Sequence, residues 1–250
     1  MLFTKKLPMK LIKLDAIDST NEFLKGLSNN QLIENFTVVT AESQTHGKGQ
    51  MGATWVSEPS KNLVMSVLVR DFVTDSNQIF DINTLVSVSI IKVLEGFSIP
   101  ELSIKWPNDI MSYSKKIGGI LIENSIKSDG NISSIVGLGL NVNQTNFEHL
   151  PKASSLASIC KTIFDKEEIL LNIVAMIEQN VLLWNQNKDL IKSDYISSLF
   201  KKGIPMPFAA GNQQNFMGII QGVSPIGKLE LLLENDVFEV FDIKEIQMLY

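Results

Sequence analysis

The residues of this chain best placed to do chemistry lie close together. Lys105-Trp106-Pro107-Asn108-Asp109 is followed shortly by Lys115-Lys116-Ile117-Gly118-Gly119. Lysines supply positive charge, and a Gly-Gly step removes side chains where a ligand or another backbone comes close. A lysine that enters a buried strand beside two glycines is not ordinary core. A solvated lysine on a tight hairpin with a packing Gly-Gly fits the same residues.

A second stretch, Gly47-Lys48-Gly49-Gln50-Met51-Gly52-Ala53-Thr54-Trp55, spells G-x-G-x-x-G. The dinucleotide fingerprint needs a helix to begin within the glycines. Here polar residues continue to Trp55 and Pro59, and residues 62–70 read as another strand, which argues against a Rossmann site. The stretch reads instead as a glycine-rich loop with one cation, Lys48, whose backbone N–H groups can wrap phosphate oxygens. A plain surface loop is the other reading, and Trp55 counts against it, since a large aromatic at the loop's end wants something to cover. In Gly137-Leu138-Gly139-Leu140-Asn141 the alternate glycines clear a single strand face, because strand side chains alternate. That opens a slot with Asn141 at its end as a polar reader. Close packing of a helix on the sheet would use the same glycines.

The elements that position these groups follow from patterning. Residues 11–14, 36–42 and 62–70 read as strands, and Ser19 and Glu22 stand at capping-box spacing before a helix that ends at residues 28–30. Residues 80–97 carry apolar residues at helical spacing and predict a long buried helix. Pro107 should end a strand that starts near Leu102, leaving Asn108 and Asp109 on a turn. From Ile117 a buried strand resumes with Lys116 at its start. A hairpin turn is expected at Ser128-Asp129-Gly130-Asn131, then a strand from Ile132 to Asn143. Helices are expected over 154–164 and 165–187, with a third to about Lys202. After Gly203, prolines and glycines punctuate short strands. This divides the chain into a unit at 1–202 and a small β-barrel-like unit at 203–250, too small for much stability alone.

Composition excludes several classes. A formal charge of −5 argues against a dedicated nucleic-acid binder. Cys160 is the one cysteine, and His46 and His149 are the two histidines, so neither a disulfide framework nor a thiolate or His-rich metal site is expected. No apolar run reaches membrane-spanning length, and the first residues lack a signal-peptide core. The expectation is a cytoplasmic protein.

The three stretches, with Ser19-Thr20-Asn21 before them, occur in an order that resembles biotin protein ligase, and the resemblance covers essentially the whole chain. It implies an α+β fold: a mixed central sheet flanked by helices, related to class II aminoacyl-tRNA synthetase cores, followed by an SH3-like barrel. It implies formation of biotinyl-5′-adenylate from biotin and MgATP. The biotinyl group then passes to a lysine of a biotin carboxyl carrier domain of a carboxylase. Some members carry an N-terminal DNA-binding domain. This chain starts at the catalytic strand, so no DNA-binding role is expected, nor any membrane partner, and the protein should be a monomer or homodimer.

By the same resemblance Lys116 contacts the biotin carboxylate and the α-phosphate, Lys48 and Lys105 serve the phosphates, and Asp109 holds Mg²⁺. Ser19, Thr20, Asn21 and Gln44 resemble readers of the ureido ring. Gly47, Gly49, Gln50, Gly118, Gly119 and Gly139 complete the biotin site. Trp55 covers the ligand, and Asn108 and Asn141 join Gly47, Gly49 and Lys105 at the nucleotide. The family loop is commonly arginine-rich, whereas this one has Lys48, Gln50 and Ala53. The competing readings are a lipoate or octanoate ligase-transferase of the same superfold and a non-catalytic biotin-binding module.

Overall fold

The computed structural model describes residues 10–75, 78–126, 132–211 and 215–250. Strand β1 (Leu11–Ile17) leads into helix α1 (Thr20–Asn30), strand β2 (Val38–Gln44) and strand β3 (Leu63–Arg70). The long helix α2 (Ile79–Gly96) is followed by β4 (Leu102–Lys105), β5 (Asp109–Ser112), β6 (Lys115–Ile126) and β7 (Ile132–Leu140). Helices α3 (Leu156–Cys160), α4 (Lys166–Leu182) and α5 (Trp184–Ser197) come next. The C-terminal strands are β8 (Pro205–Ala209), β9 (Phe216–Val223), β10 (Leu229–Leu233), β11 (Phe238–Phe241) and β12 (Gln247–Met248).

The first seven strands form one mixed sheet in the order β1-β2-β3-β7-β6-β5-β4, with β1 parallel to β2 and the other neighbours antiparallel. Alternation assigns its two faces. Val38 and Val67 pack with α2 and α4, while Val39, Leu68 and Ile135 pack with Leu24 of α1. Helix α2 is buried along most of its length, with Ile82, Leu85, Val86, Ile90 and Leu94 fully covered. The C-terminal strands form an antiparallel sheet in the order β11-β10-β9-β8-β12, whose outer strands do not pair with each other. Its Phe208, Ile220, Leu229 and Leu231 join the same core as α2. Among the described residues no helix is long and apolar enough to cross a membrane.

Several expectations shift. Asp109 opens β5 opposite Lys105 instead of sitting on the turn, because the reversal is completed by residues 106–108. The strand expected to reach Asn143 ends at Leu140, where the Asn141 N–H turns to Ile117 O at 2.7 Å. The helix expected over 154–164 stops at Cys160. Lys161 is left-handed (φ 58°), and Asn143 takes the Phe164 backbone at both ends, accepting from its N–H at 3.0 Å and donating to its O at 2.8 Å. Ser19 caps α1 by accepting from Glu22 N–H at 3.5 Å, but the Glu22 carboxylate pairs with Lys48 rather than completing the capping box. The expected hairpin turn at residues 128–131 lies outside the described residues.

The two sheets are pinned together at one buried point. Trp106 Nε1 donates to Gly227 O at 2.9 Å, and a Cβ on Gly227 would meet Phe80 Cγ at 2.6 Å. Gly227 also has φ +89°, where a side chain is strained. Gly227→Ala is therefore expected to cost about 2–4 kcal/mol of stability. A urea unfolding midpoint equal to wild type would show that this contact does not hold the sheets.

Candidate active site

A cavity of about 490 Å³ lies between the two sheets and beneath the glycine-rich stretch. That stretch is a small hairpin: Trp55 N–H donates to Gly47 O at 2.9 Å and Gly49 N–H to Ala53 O at 2.7 Å. The cavity floor is Gly119, Gly137 and Gly139, with Gly119 directly paired to Gly139 across β6 and β7. Protein side chains already use the space these glycines clear. A Cβ on Gly137 would stand 3.0 Å from Asn21 Cγ, and one on Gly139 would stand 2.6 Å from Trp55 Cζ2. The indole thus rests on the slot, and its Nε1 is buried without a hydrogen-bond partner.

At the α1 end of the floor, neutral hydrogen-bonding groups hold one another. Thr20 N–H and Oγ1 both donate to Gln44 Oε1, at 2.8 and 3.1 Å. Ser66 Oγ donates to Asn21 Oδ1 at 2.6 Å and lies 2.8 Å from Thr20 Oγ1. Asn21 Nδ2 donates to Glu123 Oε2 at 2.8 Å. Thr20 and Asn21 are almost fully buried, so burial as well as bonding fixes their rotamers.

At the other end the charges converge. Lys116 Nζ is 2.6 Å from Asp109 Oδ1, and Lys105 Nζ is 3.7 Å from Oδ2 of the same carboxylate. Asp109 is the one carboxylate that lines the cavity among the described residues. Burial pushes the Lys105 ammonium below the usual lysine range. Asp109 opposes that shift, while the nearby Lys116 and Lys152 charges reinforce it. Lys48 points elsewhere: its ammonium is 2.6 Å from Glu22 Oε1, and that hydrogen bond raises its pKa.

The structure gathers Ser19, Thr20, Asn21, Gln44, Lys48, Gly49, Gln50, Trp55, Lys105, Asn108, Asp109, Lys116, Gly119 and Gly139 around this cavity. Three sequence candidates do not line it. Gly47 closes the base of the hairpin, where a Cβ would press on Gln44 Nε2 at 3.0 Å. Gly118 faces the backbone of β7, with Gly139 O at 3.1 Å from a notional Cβ. Asn141 turns away and donates to Ser154 O at 3.0 Å. Asn108 lines the cavity but also clamps β6, donating from Nδ2 to Ile120 O at 2.7 Å.

Sequence reasoning missed Ser66, Glu123 and the second wall, which Phe208, Ile220, Leu229, Ile246 and Met248 build from the C-terminal sheet. Ser66 had a signal, as the lone polar residue inside the apolar run of β3. The wall had none, because it depends on how two sheets dock.

A family model described as the biotin/lipoate A/B protein ligase family matches residues 14–143, just over half of the chain. The bifunctional ligase/repressor BirA of Bacillus spizizenii is 31% identical over 182 residues, covering 71% of this chain and 55% of that protein. The chain thus spans about half the length of that relative. The biotin–[acetyl-CoA-carboxylase] ligase of Mycobacterium tuberculosis is 25% identical over 195 residues, covering 77% of this chain and 71% of that protein. The biotin protein ligase of Aquifex aeolicus, solved with biotin and ATP, superposes with a TM-score of 0.78 at 26% identity, covering 96% of this chain and 98% of that one. The chain belongs to the biotin/lipoate A/B protein ligase family.

A buried ammonium with a lowered pKa costs folding free energy at neutral pH. Lys105→Met should therefore leave stability unchanged or raise it by up to about 1 kcal/mol at pH 7. The sign follows from linkage. As pH rises through the lowered folded pKa towards the unfolded value of about 10.4, the native protein has shed a proton that the unfolded chain still holds, so wild type gains and the difference closes. A variant less stable than wild type at pH 7 in thermal unfolding would show that the Lys105–Asp109 attraction outweighs burial.

Proposed function

We propose that this member of the family is an ATP-dependent biotin protein ligase. It forms biotinyl-5′-adenylate from biotin and ATP and passes the biotinyl group to a lysine of a biotin carboxyl carrier domain. The observation that carries this reading is a single cavity with two chemically distinct ends joined by a glycine floor. Thr20, Gln44, Asn21 and Ser66 suit a neutral cyclic urea, whose donors and acceptors need matched partners. Lys105 and Lys116, both on Asp109, suit a carboxylate meeting an α-phosphate.

In the first step a carboxylate oxygen of biotin bonds to the α-phosphorus and the bond to pyrophosphate breaks. In the second, the carrier amine attacks the acyl carbon, and AMP leaves. Lys116 neutralises the charge that builds between the two reacting anions, and Lys105 lies behind it at the same carboxylate. Asp109, the one carboxylate lining the cavity among the described residues, would hold magnesium, which would supply charge neutralisation at the triphosphate. Trp55 moves off the glycine floor to admit the acyl chain and covers it, keeping water from the mixed anhydride. The finer fold reading is a class II synthetase-like core at 1–202 with an SH3-like unit at 203–250, supported by the mixed sheet and by the five-stranded antiparallel order of the second sheet. A need for ATP and a carboxylase carrier suits a cytoplasmic location.

Incubation with biotin, MgATP and a carrier domain is expected to add one biotinyl group, read by intact-mass spectrometry, whereas lipoate in place of biotin should add nothing. Lys116→Ala should release pyrophosphate about 10²–10³-fold more slowly with an unchanged fold. Wild-type release from that variant would remove Lys116 from its role.

The hairpin presents no cation to the cavity other than Lys48, which is occupied by Glu22. Arginine forks onto phosphate where glutamine is neutral. Albumin added to the reaction should therefore become biotinylated by escaped adenylate, and less so with the double variant Lys48→Arg, Gln50→Arg. Equal, negligible streptavidin signal from both would show that loop arginines do not govern retention.

A further inference from the structure

A further lysine, Lys152, stands close to the charged corner without lining the cavity itself: its ammonium and that of Lys105 approach the same Tyr250 ring. Lys152 lies in the segment between β7 and α3, and the backbone straps that segment to the catalytic strand. Lys116 N–H donates to Lys152 O at 2.8 Å, Ser154 N–H donates to Lys116 O at 3.0 Å, and Lys116 bridges Ala153 in parallel register. Lys48, Lys105 and Lys116 each hold a carboxylate. Among the described residues no carboxylate stands in ion-pair contact with Lys152. Its ammonium lies 4.3 Å from the centre of the Tyr250 ring, and the Lys105 ammonium lies 5.4 Å from the same ring. Both distances are within reach of a cation–π contact.

The Tyr250 ring is itself held. It packs edge-on against Phe200, with centroids 5.3 Å apart, and Leu249 N–H donates to Pro207 O at 2.9 Å, extending the β12–β8 pairing. The C-terminal sheet thereby fixes an aromatic ring that both ammonium groups approach. Lys105 and Lys116 already share the charge of Asp109, so together they offer less than their two charges to a ligand. A triphosphate carries more negative charge than that remainder can balance, and Lys152, which holds no carboxylate among the described residues, stands near the same corner.

We propose that Lys152 is a further polyphosphate-binding residue, taking the outer phosphates of the nucleotide and the pyrophosphate that leaves, and that Tyr250 is the residue that positions it. This rests on the ligase reading for the identity of the nucleotide, but its physical content is affinity for a polyphosphate.

The test uses inorganic pyrophosphate with magnesium as the probe, by calorimetry on the full chain, so the outcome does not depend on whether biotin is the acyl substrate. Lys152→Ala, an exposed change that the fold tolerates, should weaken pyrophosphate binding roughly tenfold or more, since it removes a charged partner. Tyr250→Leu should weaken it several-fold. Lys152→Arg and Tyr250→Phe, which keep the charge and the ring, should restore most of the affinity. In steady state the KM for ATP should rise in the same order, with biotin affinity in the absence of nucleotide unchanged. Wild-type pyrophosphate affinity in Lys152→Ala, or no pyrophosphate binding by the wild type, would overturn the assignment. Loss in Tyr250→Phe equal to that in Tyr250→Leu would overturn the positioning role. A failure of the ligase reading shows separately, as a carrier that stays unmodified.

Discussion

The site turns on one carboxylate between two ammonium groups. Asp109 stands across from Lys105 on β4 and beside Gly119 on β6, so the register of three strands fixes where its oxygens point. Its contacts at 2.6 and 3.7 Å hold both lysines in a partly desolvated corner that neither would occupy alone. Two ammonium groups so close repel, and burial disfavours their charge, as the lowered pKa of Lys105 records. One carboxylate makes the arrangement stable enough to fold, yet leaves it one charge short of neutral. An anionic ligand would supply the remainder. Stability and binding are thus opposed at this corner, as expected of a preorganised electrostatic site.

The glycine floor serves the same end by removing bulk. On paired strands, Gly119 and Gly139 face each other, and Gly137 lies one alternation further along. A side chain at Gly137 would collide with Asn21, and one at Gly139 with Trp55. The indole that fills the gap leaves its Nε1 buried without a partner, an arrangement that costs free energy.

How much of this could be read from the chain divides along physical lines. Local patterns carried far: alternate glycines cleared one face, Ser19 capped α1, and Pro107 closed a strand, because backbone sterics and nearest-neighbour bonding decide each of them. The resemblance marks Asp109 as a magnesium ligand on a turn, but its hold on two lysines rests on sheet register that no local pattern encodes. Asn141 was assigned to the cavity because it ends a glycine-bearing strand. The strand ends at Leu140, three residues short of the expected Asn143, and the Asn141 amide turns to Ser154. Ser66 is the opposite case. Its polarity within an apolar strand marked it, and only the packing of α1 on the sheet shows that it orients Thr20 and Asn21.

The C-terminal sheet is joined to the chemistry through the stretch that bears the cations. Trp106 lies between Lys105 and Pro107 and is buried. Its indole N–H reaches Gly227 across the docking interface at 2.9 Å. Any rotation of the second sheet would pull on the residue next to Lys105 and would also shift Tyr250, which faces the Lys105 ammonium. The apolar wall of Phe208, Ile220 and Leu229 belongs at once to the main core and to the cavity lining. The second sheet therefore cannot be loosened without exposing core and opening the charged corner to water. In a high-dielectric corner the pull of Lys105 and Lys116 on an anion would fall several-fold. Docking of the small sheet thus sets the dielectric in which the lysines act, which gives it a part in the chemistry.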